Sequence, residues 1–232
     1  MADRIALVLD RILNVFIVLT CLLMMLIGGY TFYDRLIHGE ILNGGLFPAN
    51  GKDGPVSADS AFIRNQVGWL TIDDTNINYP IMQGKDNVEY LDKNIYGESN
   101  ASGSIFLEWS NDKQLQDEFS IIYGQSTMPD LMFGSLDQYL KKDYFDTHQN
   151  GMIFTSDHQY EFRVFAAYEA ETSDGFIFNP AIRTADSIRN YIKSRADIYK
   201  EPDPDCRIVA LSTCTKEKEL KRTVVFATIS EK

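Results

Sequence analysis

The chain has 232 residues, 44% of them hydrophobic and 24% charged. That fits one ordinary domain with a terminal segment, and excludes two large domains and wholesale disorder. The formal net charge is −11; Asp3, Arg4, Asp10, Arg11, Asp34 and Arg35 cancel one another, so the excess sits in residues 36–232 and excludes nucleic acid as a natural partner, because phosphates are repelled.

The first element is apolar. Ile12 to Phe32 is 21 residues without a formal charge, long enough to span a bilayer as a helix. A cleavable signal peptide has a shorter apolar region followed by a small-x-small site, whereas Tyr33-Asp34-Arg35 follow here. The expectation is an uncleaved signal anchor over 1–35, with its transmembrane part at about 12–32. Residues 36–60 hold Gly39, Gly44, Gly45, Gly51, Gly54, Pro48 and Pro55 and read as a lead-in or stalk. Residues 61–232 form the domain, with a short helix expected over Ser60 to Gln66.

From Val67 the pattern turns to short strands. Trp69 to Ile72 is one, and Asp73-Asp74-Thr75-Asn76 is a turn by composition. Ile77 to Met82 contains Pro80 and reads as an edge or irregular strand. Ser104 to Trp109 and Phe119 to Tyr123 follow. Beyond Pro129, the spacing of Met132, Leu136 and Tyr139, and of Phe133, Leu136 and Leu140, predicts a helix ending near His148, with Asn150-Gly151 as a left-handed cap. Met152 to Thr155 and Tyr160 to Ala170 form a hairpin across Ser156-Asp157-His158-Gln159. In its second strand Tyr160, Phe162, Val164, Ala166 and Tyr168 alternate with Glu161, Arg163 and Glu169, the half-buried pattern. Thr184 caps a second helix with Ile188, Ile192 and Tyr199 on one face. Arg207 to Thr213 and Thr223 to Ile229 are the last strands. The class is mainly β with inserted helices: seven to eight strands in a barrel or sandwich.

The chemistry gathers near the C-terminus. Cys206 and Cys214 lie on one strand about 26 Å apart, too far for a disulfide, so Cys214 is expected to be a free thiol; Cys21 lies in the apolar stretch. Cys214 ends its strand, Thr215 to Leu220 is charged and loop-like, and Arg222 opens the next strand. A hairpin of this kind returns Arg222 beside Cys214. A guanidinium there favours the thiolate, which is the nucleophile, and can stabilise the oxyanion of an attacked carbonyl. No Cys-x-x-Cys or His-x-x-x-His spacing, Gly-rich phosphate loop or Gly-x-Ser-x-Gly elbow occurs, so neither a metal nor a cofactor is expected.

Leu211-Ser212-Thr213-Cys214, followed by an arginine opening an apolar strand, resembles the active-site signature of sortases. Further segments resemble the class B branch in the same order: Val67-Gly68-Trp69 with Thr75-Asn76-Ile77-Asn78-Tyr79-Pro80, Gln83-Gly84-Lys85-Asp86-Asn87, Gly103-Ser104-Ile105-Phe106-Leu107, Ile122-Tyr123-Gly124, and Met132-Phe133-Gly134-Ser135-Leu136. The resemblance covers about residue 65 to the end. It implies a closed, calcium-independent sortase-like β-barrel behind one N-terminal transmembrane helix, with the C-terminal domain outside a Gram-positive cell membrane. Such enzymes cleave a sorting-signal peptide of surface or pilin proteins after a threonine. They hold the acyl group as a thioester on the cysteine and pass it to an amine acceptor of the cell wall or a pilin lysine. Cys214 would be the nucleophile and Arg222 the oxyanion or substrate-orienting residue. Ser212, Thr213 and Tyr123 are candidates for the substrate groove; Thr215 to Lys221 and Thr172 to Arg183 are the stretches expected to shape substrate choice.

One residue departs from the family. Where its catalytic histidine follows Tyr-Gly, this chain has Tyr123-Gly124-Gln125. Glutamine cannot titrate, though it can donate and accept hydrogen bonds. The histidines present are His38 in the lead-in, His148 at a helix end and His158 in a hairpin turn, none of them an expected replacement. Two functions follow: a sortase-type transpeptidase with weakened or lost activity, or a sortase-fold pseudoenzyme that binds pilin or sorting-signal peptides and assists an active sortase.

Overall fold

The computed structural model describes residues 2–42, 64–126, 131–179, 183–214 and 221–232, excepting the side chains of 2–10, 32–42 and 214. The chain divides into two compact units, 1–46 and 47–232.

In the first unit, helix α1 runs Ala2–Leu42. It extends past both ends of the expected 12–32 span and takes in the start of the expected stalk; the rest of that stalk and most of the Ser60–Gln66 helix fall outside the described residues. Its segment Arg11–Thr31 is long and apolar enough to cross a membrane, about 31 Å at 1.5 Å per residue. The hydroxyls of Thr20 and Thr31 donate to carbonyls of the preceding turn, Ile17 at 2.8 Å and Gly28 at 3.0 Å. These two hydroxyls are thus satisfied within the helix, as hydrocarbon favours.

The described residues of the second unit form nine strands: β1 Gln66–Ile72, β2 Asn78–Met82, β3 Phe106–Leu107, β4 Phe119–Gln125, β5 Asn150–Thr155, β6 Gln159–Glu171, β7 Ile198–Tyr199, β8 Arg207–Cys214 and β9 Lys221–Glu231. Their order is β5-β1-β2-β3-β4-β8-β9-β6-β7, and β5 also pairs with β6. That pairing closes an eight-stranded barrel and leaves β7 as a short addition outside it. Neighbours are antiparallel except β2–β3 and β4–β8.

Strands β4, β8 and β9 are buried on both faces, which is why they read as continuous apolar runs. Ile122, Val209, Leu211, Val225 and Ala227 take one face by alternation. Ile121, Tyr123, Ile208, Ala210, Val224 and Phe226 take the other, and pack with Tyr90, Ile177, Ile188 and Ile192. Those last four belong to two excursions, 83–105 and 172–196, which roof the barrel wall. Helix α3, Ala185–Arg195, lies in the second excursion. Thr184 caps it as expected, in a box with Ser187: Ser187 N donates to Thr184 Oγ1 at 3.2 Å and Thr184 N to Ser187 Oγ at 3.1 Å. Tyr199, expected on this helix, lies beyond it in β7.

The single helix expected after Pro129 is instead a turn with Met132 at φ 51°, a 3₁₀ helix Leu136–Leu140 and α2, Lys142–Thr147. The Leu136–Tyr139 spacing of three suits a 3₁₀ turn equally well, and both residues are buried. Lys141, with an extended backbone at ψ 125°, separates the two helices. Nor do Asn150 and Gly151 cap α2. They open β5, where a Cβ on Gly151 would stand 2.2 Å from the Thr71 carbonyl oxygen, so strand contact, not a turn, demands this glycine.

Pro80 does not mark a sheet edge. β2 lies between β1 and β3, but pairs with β3 only at Met82, so the missing N–H of Pro80 costs no ladder bond there. In β6 the uniform alternation is broken by a bulge between Val164 and Ala166. Val164 pairs with Ala227 and Ala166 with Phe226, so the apolar set changes face at Phe165. Phe162 and Val164 serve one side of the sheet, and Ala166, Tyr168 and Ala170 the roofed side.

Gly124 ties this core to the end of β4. A Cβ there would stand 2.7 Å from the ring of Phe133, which is fully buried and donates its backbone N–H to the Gln125 carbonyl at 3.0 Å. Gly124→Ala is therefore expected to destabilise the domain by about 1–3 kcal/mol through overpacking. Thermal denaturation followed by circular dichroism would show this as a loss of roughly 2–4 °C per kcal/mol.

Candidate active site at the ends of β4, β8 and β9

Three neighbouring strands end together. In the parallel pair β4–β8, Gln125 is level with Cys214. In the antiparallel pair β8–β9, Ser212 is level with Val224; two residues onward along β8 and two back along β9 bring Cys214 level with Arg222. Backbones in this row are about 4.8 Å apart from strand to strand. Gln125, Cys214 and Arg222 are separated by up to 97 positions in sequence and meet in one line.

Gln125 and Arg222 lie on the roofed side of the barrel wall, since Gln125 alternates with Tyr123 and Ile121, and Arg222 with Val224 and Phe226. Each flank is closed by one excursion. On one side, the Gln125 side chain, only 2% exposed, donates its Nε2 to the Leu91 carbonyl. Leu91 ends a 3₁₀ turn, Glu89–Leu91, which Asp86 Oδ1 caps by accepting from Val88 N at 3.0 Å and Glu89 N at 2.9 Å. On the other side, the Arg222 guanidinium lies over the ring of Phe178, its carbon 5.3 Å from the centroid.

The floor is buried and hydrogen bonded. Tyr123 donates its hydroxyl to Glu108 Oε2 at 3.0 Å. The same oxygen accepts from Asn87 Nδ2 at 2.5 Å, and Gln83 Nε2 donates to the Glu108 carbonyl at 3.0 Å. These bonds give the Gln83–Asn87 segment its role: it fastens the first excursion to the start of the Glu108 loop. Ser212 is fully buried with its hydroxyl on the Thr213 carbonyl at 3.1 Å. Thr213 Oγ1 accepts from Thr223 N at 3.0 Å, and Thr223 donates its own hydroxyl to Asp137. The hairpin is thus locked just below the Cys214–Arg222 level.

Neither described histidine side chain approaches the row. His148 stacks on Tyr144 at 3.8 Å and its Nδ1 bonds the Tyr144 carbonyl at 2.9 Å. His158 pairs with Glu231 at 2.8 Å, at the far end of β9, about 30 Å from Arg222 along the strand. His38 lies in the other unit. Cys206 immediately precedes β8 and Cys214 ends it, so a whole strand separates them. Among the described residues, no group of His, Cys, Asp and Glu could hold a metal ion.

Residue patterns did not single out three contributors: the Leu91 carbonyl, Glu108 and Phe178. A carbonyl has no sequence signature. Glu108 follows an apolar strand as any solvated glutamate would. Phe178 sits in a stretch noted for substrate choice but without periodicity.

Comparisons with known proteins bear on this arrangement. The family described as Sortase domain matches residues 70–230. Sortase B of Listeria monocytogenes is 36% identical over 165 residues, covering 68% of this chain and 66% of the relative. Sortase B of Staphylococcus aureus is 31% identical over 172 residues, covering 72% and 70%. The chain thus spans about two thirds of the length of these relatives. Among solved structures, the S. aureus sortase B–substrate complex superposes with a TM-score of 0.68 at 29% identity, covering 73% of this chain and 82% of that one. A Streptococcus pyogenes class B sortase involved in pilus biogenesis superposes at 0.67 with 33% identity, covering 73% and 94%.

Proposed function

The chain belongs to the sortase family and its class B branch, and we propose that it is a membrane-anchored cysteine transpeptidase acting on C-terminal sorting signals of surface or pilin proteins, with activity weakened or lost through Gln125. The observation that carries this reading is the shared row of Gln125, Cys214 and Arg222 across β4, β8 and β9. A relative solved with its substrate and another involved in pilus biogenesis support the substrate class.

In this mechanism the Cys214 thiolate attacks the carbonyl carbon of the signal threonine and a C–S bond forms. Arg222 stabilises the resulting oxyanion. Collapse breaks the C–N bond, and the leaving amine takes its proton from water, because Gln125 has none to give. An acceptor amine, of the cell wall or a pilin lysine, then attacks the thioester, loses its proton to water and returns Cys214 as thiolate. Tyr123, Ser212 and Thr213 form the rigid floor beneath the peptide. Helix α1 anchors the domain, which stands outside the membrane.

A second reading is a sortase-fold pseudoenzyme that binds pilin or sorting-signal peptides for an active partner. The engagement of the Gln125 amide with Leu91, which makes that side chain a structural group, favours it. Mass spectrometry of the full chain incubated with a sorting-signal peptide and an amine separates the two. A thioacyl adduct on Cys214, absent from Cys214→Ala, is the expected result. Peptide binding with no adduct at any time would overturn the enzyme in favour of the binding protein.

A further inference from the structure

We propose that Phe178 is a positioning residue for Arg222: its ring holds the guanidinium beside the Cys214 row while leaving the N–H donors free for an oxyanion. The role in oxyanion binding rests on the function proposed above; the positioning itself rests on geometry.

The Arg222 guanidinium carbon lies over the Phe178 ring, 5.3 Å from its centroid. Among the described residues, no carboxylate pairs with Arg222. Ala170 is level with Arg222, so its neighbours Glu169 and Glu171 stand by alternation on the other face of β6, where Glu169 pairs with Lys221 at 3.5 Å; Asp137 accepts the Thr223 hydroxyl. This difference has chemical weight. A carboxylate would grip arginine through its in-plane N–H groups and neutralise its charge, so the donors an oxyanion needs would be occupied. An aromatic face attracts the cation through the ring quadrupole and spends no N–H donor. The charge is held in place without being cancelled.

A positioning residue must itself be fixed, and Phe178 is. Asp174 Oδ1 accepts from Phe176 N at 3.0 Å, and Phe178 N donates to the Asp174 carbonyl at 3.0 Å. Between them Ile177 is fully buried in the roofed core. The Phe176 ring is clamped between the Arg183 guanidinium, 4.1 Å from its centroid, and the Tyr191 ring, stacked at 4.2 Å and 18°. Arg195 covers Tyr191 in turn at 4.6 Å. Tyr191 also donates its hydroxyl to Asp174 Oδ2 at 2.7 Å. Burial, reinforced by the Asp174 carboxylate, pushes the Tyr191 hydroxyl up to about 12, so it remains a donor across the working range. A four-tier column, Arg183–Phe176–Tyr191–Arg195, therefore fastens the turn to α3, and the turn presents Phe178 to Arg222.

The test uses the full chain in detergent micelles. Arginine side-chain Nε–Hε NMR spectra report the contact without any substrate, with Arg222 identified by the signal lost in Arg222→Lys. The Arg222 signal is expected upfield from the ring current, at its ordinary position in Phe178→Leu, and further upfield in Phe178→Trp. In a Gln125→His background, Phe178→Leu is expected to lower kcat roughly threefold to thirtyfold at unchanged KM, the range of a cation–π contact, and Phe178→Tyr to restore it. An Arg222 signal that is the same in wild type, Phe178→Leu and Phe178→Trp overturns the proposal, as does a lost ring-current shift with kcat unchanged. A ring-current shift that behaves as expected in a protein that never transfers acyl groups supports the positioning and overturns the sortase function instead.

Discussion

Gln125→His is expected to raise the rate of acyl transfer by about 10²–10⁴-fold, the contribution of a positioned general acid–base. Two deficits are repaired together. The leaving amine gains a proton donor, and any Cys214 still in its thiol form gains a base. The position is ready for an imidazole. Gln125 is level with Cys214, and its amide already donates to the Leu91 carbonyl. An imidazole N–H can take the same acceptor, which fixes the tautomer and leaves the other nitrogen for chemistry. The pH profile supplies the signature: wild type is expected to rise with pH as the thiol ionises, and Gln125→His to follow a bell, with the imidazole as acid on its alkaline limb. Chromatographic assay of peptide cleavage from pH 5 to 9 reads both. An unchanged rate with an unchanged profile would mean that the site lacks more than its acid–base.

Arg222→Ala is expected to lower kcat by about 10²–10³-fold in the Gln125→His background, the loss typical of one oxyanion donor. KM should change little, because the oxyanion exists only in the transition state and intermediate. Arg222→Lys keeps the charge but not the fork of donors, and is expected to fall between the two. Fluorescence anisotropy of a labelled sorting-signal peptide separates the readings: preserved binding with lost turnover assigns Arg222 to chemistry, whereas equal loss of both assigns it to peptide docking.

The strands were legible because side-chain alternation and turn residues are local signals. Trp69–Ile72, Phe119–Tyr123 and the Arg207 and Thr223 strands all appear close to their expected bounds. What was illegible is non-local. No periodicity announces that β4 runs parallel to β8 or that β5 closes on β6; the closed barrel came from the family resemblance. Local misreadings have local causes. Met132 at a left-handed φ interrupts a helical spacing, and one bulge at Phe165 transfers the apolar side of β6 from one face to the other. At the site, Cys214 and Arg222 could be placed together from a hairpin alone. Gln125 could be found only as a departure from the family, since 89 positions separate it from the cysteine whose level it shares. Phe178 was reachable only through coordinates, because a cation–π contact between an excursion and strand β9 leaves no spacing to read.

The claim that most needs testing is the nearness of sulfur and guanidinium, and it can be read without substrate. The rate of iodoacetamide alkylation against pH, followed by mass spectrometry of the Cys214 peptide, gives the ionisation midpoint of that thiol. A midpoint about one unit or more below the ordinary 8.5, moving back up in Arg222→Ala, is the result expected for an opposite charge a few ångströms away. The same midpoint in both proteins would place Arg222 elsewhere and dissolve the site.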